Sequence, residues 1–257
     1  MRKLFSEWDD VAVQLKRART IALFLDFDGT LAQLERRPDE VTLDKSVRRY
    51  LHQLAASPKF RLWVISGRRQ ADIATRIRVP GIRYLGLHGW EGRQSGRWTG
   101  RGSGELPSAT LDALALVKRQ IRARFGGEQV WIEDKHASVA FHYRGSTVRG
   151  ALLHSLHEAV RPLQALLQMK RAKNVFEAMA REIEDKGEAV RHQMSTIRNA
   201  TLPLYVGDDF IDEPAFRALP YGITVHVGRM RQTRAKYWLP SVREVHRLLE
   251  RLAVEFA

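Results

Sequence analysis

Two aspartates with a spacing suited to phosphate chemistry follow the first strongly apolar stretch of the chain. That stretch, residues 21–25, runs into Asp26 and Asp28 within the sequence D-F-D-G-T-L. Because residues i and i+2 of an extended segment point the same way, both carboxylates would face one site. One acid can attack phosphorus as a nucleophile, while the other protonates the leaving oxygen and later takes a proton from water. The pattern therefore indicates phosphoryl-transfer chemistry.

A divalent cation would reduce the repulsion between these acids and a phosphate group. Mg²⁺ is the expected ion, because it prefers hard oxygen ligands and is commonly shared between carboxylates and a phosphate. A lone D-x-D pair is more often a solvated turn, and the apolar segment directly before it favours catalysis here. A calcium-binding loop is excluded, because the sixth position from Asp26 is Leu31 instead of Gly and the twelfth is Arg37 instead of Glu.

Polar residues also follow two further apolar segments. Ser66 comes after residues 60–65, and its hydroxyl, together with N–H groups at the start of a helix over 70–77, would form a phosphate cradle. Asp208 and Asp209 follow the segment 203–207. A solvated acidic turn is the simpler interpretation of such a pair, but its place after a strand favours convergence with Asp26 on one cation.

Lys186 lies at the start of a predicted helix over 186–197. This position makes it the cation best placed to hold the nucleophile and the phosphate; the alternative is an ordinary surface lysine.

The order of the elements predicts an α/β fold. An amphipathic helix over 2–18 precedes strands that alternate with helices. The strands are predicted near 21–26, 60–65, 84–87, 203–207 and 222–228, and the helices over 44–56, 70–77, 186–197 and from 242. This alternation implies a parallel sheet with right-handed crossovers, so that the polar strand ends lie along one edge, where ligands bind.

A block of about ninety residues interrupts this alternation and reads as a separate α+β module. Its helices are predicted over 108–124 and 147–167, and its strands over 129–135, 138–144 and 174–179. We place the borders of the first domain at 1–90 and 179–257, with the inserted domain at 91–178.

Composition describes an ordinary globular protein with a strongly positive field. Hydrophobic residues make up 44% of the 257 residues, charged residues 28%, and the net charge is +14. The absence of cysteine excludes a disulfide framework and a thiolate zinc site. No Lys/Arg block or nucleic-acid module is present, so we expect a small phosphorylated anion as partner and no nucleic acid. Without an apolar leader or span, we expect a cytoplasmic monomer with no membrane contact.

In combination, these motifs resemble those of the haloacid-dehalogenase-like (HAD-like) phosphatases, and most closely the trehalose-6-phosphate phosphatase family. The superfamily motifs are D-F-D-G-T at 26–30, V-I-S-G-R at 64–68, Lys186 and G-D-D at 207–209. The narrower likeness rests on L-H-G-W-E-G-R at 87–93, I-E-D-K at 132–135, H-Y-R at 142–144 and G-D-D-F-I-D-E at 207–213. The resemblance implies a Rossmann-like parallel sheet core with helices on both faces, plus an inserted smaller α+β cap domain.

The resemblance also implies roles for individual residues. Asp26 would be the nucleophile, Asp28 the general acid/base, and Ser66 and Lys186 the phosphate-holding residues. Mg²⁺ would bind Asp26, the Asp28 carbonyl and the Asp208–Asp209 pair. Sugar-phosphate binding would involve Gly67, Arg68, His88, Glu91, Arg93, Glu133, Lys135 and Glu177.

One stretch departs from the family pattern. After Glu177 the family usually continues with a basic residue and proline, whereas this chain has Ala178-Met179-Ala180. The expected activity is magnesium-dependent hydrolysis of trehalose 6-phosphate through an aspartyl-phosphate. The alternatives are a phosphatase for another sugar phosphate, such as that of sucrose or mannosylglycerate, and an inactive basic binding protein that retains the fold.

Overall fold

The structure is a computed structural model that describes residues 1–35, 37–94, 97–98, 106–143, 146–172, 174–197, 201–229 and 232–257. The chain divides into two compact units. The first contains Met1–Arg101 and Asp185–Ala257, and the second contains Gly102–Glu184. The domain borders given above from the sequence stay predictions.

Thirteen strands lie in the described part of the chain. In chain order they are β1 (Arg2–Lys3), β2 (Thr20–Leu25), β3 (Phe60–Ile65), β4 (Arg83–Gly86), β5 (Glu91–Gln94), β6 (Arg97–Trp98), β7 (Val130–Asp134), β8 (Ser138–Tyr143), β9 (Leu167–Ala172), β10 (Val175–Ala180), β11 (Thr201–Gly207), β12 (Ile223–Val227) and β13 (Tyr237–Leu239).

Eight α-helices accompany these strands within the same described ranges. They are α1 (Trp8–Arg17), α2 (Lys45–Ala56), α3 (Gln70–Ile77), α4 (Ser108–Gln129), α5 (Ser146–Val160), α6 (Lys186–Ser195), α7 (Glu213–Ala218) and α8 (Val242–Phe256).

The first unit is built on a sheet with the order β1-β13-β12-β11-β2-β3-β4-β5-β6 among its described strands. In this order, the seven strands from β1 at one edge to β4 are all parallel to their neighbours. The strands β5 and β6 pair antiparallel and form the other edge. The α/β fold class predicted from the sequence is thereby confirmed.

The central strand β2 is buried on both faces, as its continuous apolar run predicts. Its side chains alternate between two core clusters: Ile21, Leu23 and Leu25 pack into one, and Ala22 and Phe24 into the other. All five are fully buried. Since strand side chains alternate with a period of two, the two clusters lie on opposite faces of the sheet, each covered by helices.

The second unit has a four-stranded antiparallel sheet with the order β7-β8-β10-β9. Residues such as Phe141 and Phe176 pack with α4 and α5 through Val117 and Leu156 on one face. By strand alternation, Trp131, Glu133, His142 and Glu177 lie on the opposite face.

Several elements differ from those predicted. The helix predicted over 147–167 ends at Val160, because Pro162 lacks the N–H group that a longer helix needs, and β9 follows. The strands β5, β6 and β13 were not predicted, since two to four residues are too few to display a period. Among the described helices, none has the length and apolar character required to cross a bilayer.

Candidate active site

The site in the first unit is built around Asp26, the residue after β2. Parallel pairing of β2 with β11 sets Leu25 beside Val206, and the Asp26 N–H donates to the Val206 carbonyl at 3.0 Å. Asp26 and Asp208 therefore leave neighbouring strands at the same edge of the sheet. This is the edge at which parallel α/β sheets bind ligands.

Lys186, the first residue of α6, is fully buried against this edge. Its Nζ donates to Asp26 Oδ1 and to Asp212 Oδ1, each at 2.7 Å. The helix begins here because the Asp185 side chain caps it by accepting from the Glu188 N–H at 3.0 Å. Lys186 thus contacts the carboxylate predicted to be the nucleophile, and its role in holding phosphate stays a prediction.

A third carboxylate, that of Asp208, lies close to the two that Lys186 contacts. Asp26, Asp208 and Asp212 each offer an oxygen within 4.8 Å of the others. We call these three residues and Lys186 the acid cluster. A set of hard oxygen donors with excess negative charge fits a divalent cation such as Mg²⁺.

The ionisation of the acid cluster reflects its burial. Burial raises the pKa of Asp26 to about 7, even though Lys186 opposes the shift. Burial, followed by repulsion from Asp26 and Asp212, raises the pKa of Asp208 to about 9. Burial alone would lower the pKa of Lys186, but Asp212 and Asp26 raise it above the usual value, so the ammonium stays charged. A bound divalent cation would favour the ionised carboxylates.

Gly29 makes the approach of Asp208 possible. Its φ is +78°, and a Cβ at this position would lie 2.2 Å from Asp208 Oδ2. Any side chain there would collide with the carboxylate, in addition to the strain of the left-handed backbone. The Gly in D-F-D-G-T therefore has a packing role in the acid cluster.

Asp212 belongs to the acid cluster, whereas Asp209 does not. The carboxylate of Asp209 accepts from the Phe210 N–H at 2.6 Å and caps the 3₁₀ turn Phe210–Asp212. That turn directs fully buried Asp212 toward Lys186, and the Tyr205 hydroxyl also donates to Asp212 Oδ1 at 2.7 Å. The sequence motif predicted a metal role for Asp209 and none for Asp212. The third aspartate of the G-D-D-F-I-D-E run was the available signal.

Asp28 is held by Arg68. The guanidinium Nε and Nη2 donate to the two carboxylate oxygens, both at 2.7 Å, and Nη1 donates to Asp72 at 2.9 Å. Burial alone would lower the pKa of Arg68, but the hydrogen bonds and charges of Asp28 and Asp72 outweigh burial and raise this pKa above its ordinary value. Arg68, predicted to bind substrate, thus contacts the predicted general acid/base directly.

The residues of the predicted phosphate cradle lie at the end of β3. Ser66 is buried, and its Oγ accepts from the Arg68 N–H at 3.1 Å. A Cβ on Gly67 would lie 3.0 Å from Cε1 of His88, so the small residue permits close packing of the buried imidazole. The His88 N–H donates to the Ser66 carbonyl at 2.9 Å, which fixes the two segments together.

Glu91 occupies the helix N-terminus that was expected to bind phosphate. Its Oε2 accepts from the Gln70 N–H at 2.8 Å, and Oε1 accepts from Arg69 at 3.0 and 3.1 Å. A protein carboxylate therefore satisfies the start of α3. Arg93 lies in β5, and its side chain is outside the described part of the structure.

The second unit brings together its own polar group, which we call the second-unit cluster: Glu133, Lys135, His142 and Glu177. Lys135 Nζ donates to Glu177 at 3.1 Å and lies 4.0 Å from Glu133. A ring nitrogen of His142 lies 3.1 Å from Glu133, and Ser138 Oγ donates to Glu177 at 2.7 Å. Glu133, Lys135 and Glu177 are residues predicted from the sequence to bind the substrate, whereas His142 was noted only as part of the H-Y-R motif.

The three residues after Glu177 that differ from the family pattern lie in a strand. Ala178, Met179 and Ala180 continue β10 between β8 and β9 and are fully buried. Ala178 packs in the hydrophobic core of the second unit, and Glu177 is the last polar side chain of β10.

Comparison with known proteins supports a common family. A family model described as Trehalose-phosphatase matches residues 24–237. A trehalose-phosphate phosphatase of Mycobacterium marinum is 32% identical over 251 residues, which cover 92% of this chain and 62% of that protein. The chain thus spans less than two thirds of the length of this relative.

Solved structures share the fold. The C-terminal domain of the Candida albicans trehalose-6-phosphate phosphatase has a TM-score of 0.83 at 21% identity and covers 96% of both chains. A haloacid dehalogenase-like hydrolase from Bacteroides thetaiotaomicron has a TM-score of 0.66 at 18% identity, over 91% of this chain and 98% of that one.

Proposed function

The chain belongs to the trehalose-phosphatase family, and on that premise we propose that it hydrolyses trehalose 6-phosphate to trehalose and phosphate with the help of Mg²⁺. The observation that carries the proposal is the buried Asp26 carboxylate, held at 2.7 Å by Lys186 beside Asp208. A carboxylate fixed in this way, with further acids to hold a cation, suits attack on a phosphate ester.

In the first step, an oxygen of Asp26 attacks phosphorus and the bond from phosphorus to the sugar oxygen breaks. Protonated Asp28 donates its proton to that oxygen, so that trehalose leaves as an alcohol. The phosphoryl group is then an aspartyl-phosphate on Asp26. Lys186, which already contacts Asp26, would also neutralise charge on the phosphoryl oxygens.

In the second step, water attacks the phosphorus of the aspartyl-phosphate. Asp28, now ionised, takes a proton from the water, and the bond from phosphorus to the Asp26 oxygen breaks. Phosphate leaves and the Asp26 carboxylate is restored. Asp28 therefore returns to the protonated state that the next first step requires.

Mg²⁺ would be held by Asp26, Asp208 and Asp212, and would supply charge neutralisation and orientation of the phosphate. The second-unit cluster would bind sugar hydroxyls, because carboxylate and ammonium groups form strong hydrogen bonds to neutral hydroxyls. We expect Ser66 to contact the phosphate through its hydroxyl proton, since its oxygen already accepts from Arg68.

Phosphate release from a panel of sugar phosphates tests the proposal. With Mg²⁺, we expect kcat/KM for trehalose 6-phosphate to exceed that for the 6-phosphates of sucrose and glucose, and for mannosylglycerate phosphate, by about tenfold or more. A preference for another ester would indicate a different sugar-phosphate phosphatase. If the folded protein released phosphate from none of these, nor from p-nitrophenyl phosphate, it would be the inactive binding protein. The cytoplasmic location and monomeric state stay predictions from the sequence.

A further inference from the structure

The contact between Arg68 and Asp28 is more specific than a surface ion pair. Two parallel hydrogen bonds of 2.7 Å join the guanidinium to both carboxylate oxygens. The Arg68 side chain is only 7% exposed, and that of Asp28 is 29% exposed. A bidentate arginine–carboxylate pair fixes the plane and direction of the carboxylate, which a single contact from lysine cannot do.

The guanidinium is itself held from its other side. Its Nη1 donates to Asp72 at 2.9 Å, and Asp72 also accepts from Arg76 Nε at 2.8 Å. The backbone of Arg68 is bonded too: its carbonyl accepts from the Leu87 N–H at 2.8 Å. Arg68 therefore keeps a charged partner and a fixed backbone even when its bonds to Asp28 change.

We propose that Arg68 is the positioning residue for Asp28 and acts through that carboxylate, not as a ligand of the substrate. This inference rests on the proposed function, in which Asp28 transfers protons. Both oxygens of Asp28 are engaged by Arg68. Proton transfer requires one oxygen to be released toward the leaving group, while the other bond to Arg68 keeps the carboxylate in place and Asp72 keeps the guanidinium paired.

Leaving-group dependence tests the proposal. A sugar alkoxide needs the proton from Asp28, whereas p-nitrophenolate leaves without one. We expect R68K to lower kcat/KM for trehalose 6-phosphate at least about tenfold and that for p-nitrophenyl phosphate less than about threefold. D28N should show the same selectivity with a larger loss, about 10²-fold or more. Equal losses for the two esters in R68K, or no loss, would overturn the proposal.

A double-mutant cycle separates action through Asp28 from direct contact with the substrate. If Arg68 acts through Asp28, R68K in the D28N background should change kcat/KM for trehalose 6-phosphate by less than about twofold. Losses that multiply in the double variant would instead show that Arg68 contributes independently, for example by binding phosphate, and would overturn the assignment.

Arg48 provides a matched control for the arginine-to-lysine change. It is half-buried and donates to the backbone carbonyls of Ile77 and Arg76 at 2.9 and 3.1 Å. R48K should change kcat/KM for the two esters by the same factor. If circular dichroism shows that R68K is unfolded, D72N replaces it as the test, because Arg68 then loses its hydrogen bond to the Asp72 carboxylate. D72N should lower kcat/KM about threefold for trehalose 6-phosphate only. An equal decrease for both esters would contradict the proposal.

The cycle also distinguishes this proposal from the assignment of the substrate. If the wild-type protein hydrolyses glucose 6-phosphate but not trehalose 6-phosphate, the proposed substrate is wrong. The same mutant cycle can then be run with glucose 6-phosphate, whose leaving group is an alkyl alcohol, and with p-nitrophenyl phosphate, whose leaving group is a phenol. The outcome of that cycle decides the role of Arg68.

Discussion

The acid cluster and the second-unit cluster use similar residue types in different proportions of acidic and basic groups. In the acid cluster, three carboxylates accompany one ammonium group, and Lys186 pairs with Asp26 and Asp212. In the second-unit cluster, two carboxylates contact Lys135 and the ring of His142. The first therefore needs additional positive charge, whereas the second can exchange its hydrogen bonds with neutral groups.

The difference originates in the two sheets. Parallel strands bring their carboxyl ends to one edge, so acids that follow separate strands accumulate there. In the antiparallel sheet, neighbours across strands determine the contacts. Glu133 and Glu177 both lie opposite Ala140 in the register, on either side of β8, and Lys135 reaches both. A group of paired hydrogen-bond donors and acceptors suits hydroxyl recognition, while three clustered carboxylates suit a metal ion.

The largest expected effect distinguishes the chemistry of the two clusters. D26N should lower kcat at least about 10³-fold with both trehalose 6-phosphate and p-nitrophenyl phosphate, because the nucleophile is lost. E133Q should lower kcat/KM about tenfold for trehalose 6-phosphate only, since it weakens a sugar contact. D10N, a change at an exposed acid of α1, is the control. Substantial activity in D26N would remove Asp26 as the nucleophile.

Stability measurements can compare the two lysines. K186M should reduce the free energy of unfolding by about 3–5 kcal/mol, because it leaves buried carboxylates without their cation. K135M should cost less, about 1–3 kcal/mol, since Glu177 keeps its hydrogen bond from Ser138, and Glu133 keeps its contact with His142 and is partly exposed. Urea denaturation of both variants in EDTA at pH 7 provides the comparison. A larger cost for K135M would contradict the charge balance described here.

Metal addition should stabilise through the acid cluster alone. At a concentration 100 times its dissociation constant, Mg²⁺ would add about 2.7 kcal/mol of stability, which raises Tm by about 5–10 °C for a chain of this size. D208N should lose this increase and E133Q should retain it. Differential scanning fluorimetry with MgCl₂, against KCl of equal ionic strength, measures the shift. An unchanged response in D208N would exclude Asp208 as a metal ligand.

The smallest effect concerns pH in the metal-free protein. Asp26 and Asp208 have pKa values of about 7 and 9 in the folded state, above the unfolded value of about 4. Both therefore bind a proton more tightly when folded, so their contribution to stability is complete below pH 4 and is lost as pH rises through 7 and 9.

D208N removes one of these groups. Between pH 5 and 8.5 in EDTA, the wild-type protein should lose at least about 1 kcal/mol more stability than D208N. The free energy of unfolding from urea titrations at the two pH values gives this difference. Parallel loss in the two proteins would show that Asp208 does not carry the raised pKa.

The local sequence predicted the parts of the site that depend on one strand or one helix end. The apolar run before Asp26 and the start of a helix at Lys186 are local patterns with local physical causes. The predicted strands β2, β3, β11 and β12 follow from the same kind of signal. Short strands such as β13 depend on pairing with a neighbouring strand, and they contain too few residues to show an alternating hydrophobic pattern.

The amino-acid sequence alone thus determined the fold class and the convergence of Asp26, Lys186 and Asp208. Only the tertiary structure decided which of several nearby acids and arginines meet. The turn after Asp209 directs Asp212 into the acid cluster, Glu91 reaches the start of α3, and Arg68 reaches Asp28 across forty residues. The physical reason is that side-chain partners across separate elements depend on backbone direction and burial in three dimensions, which spacing along the chain does not specify.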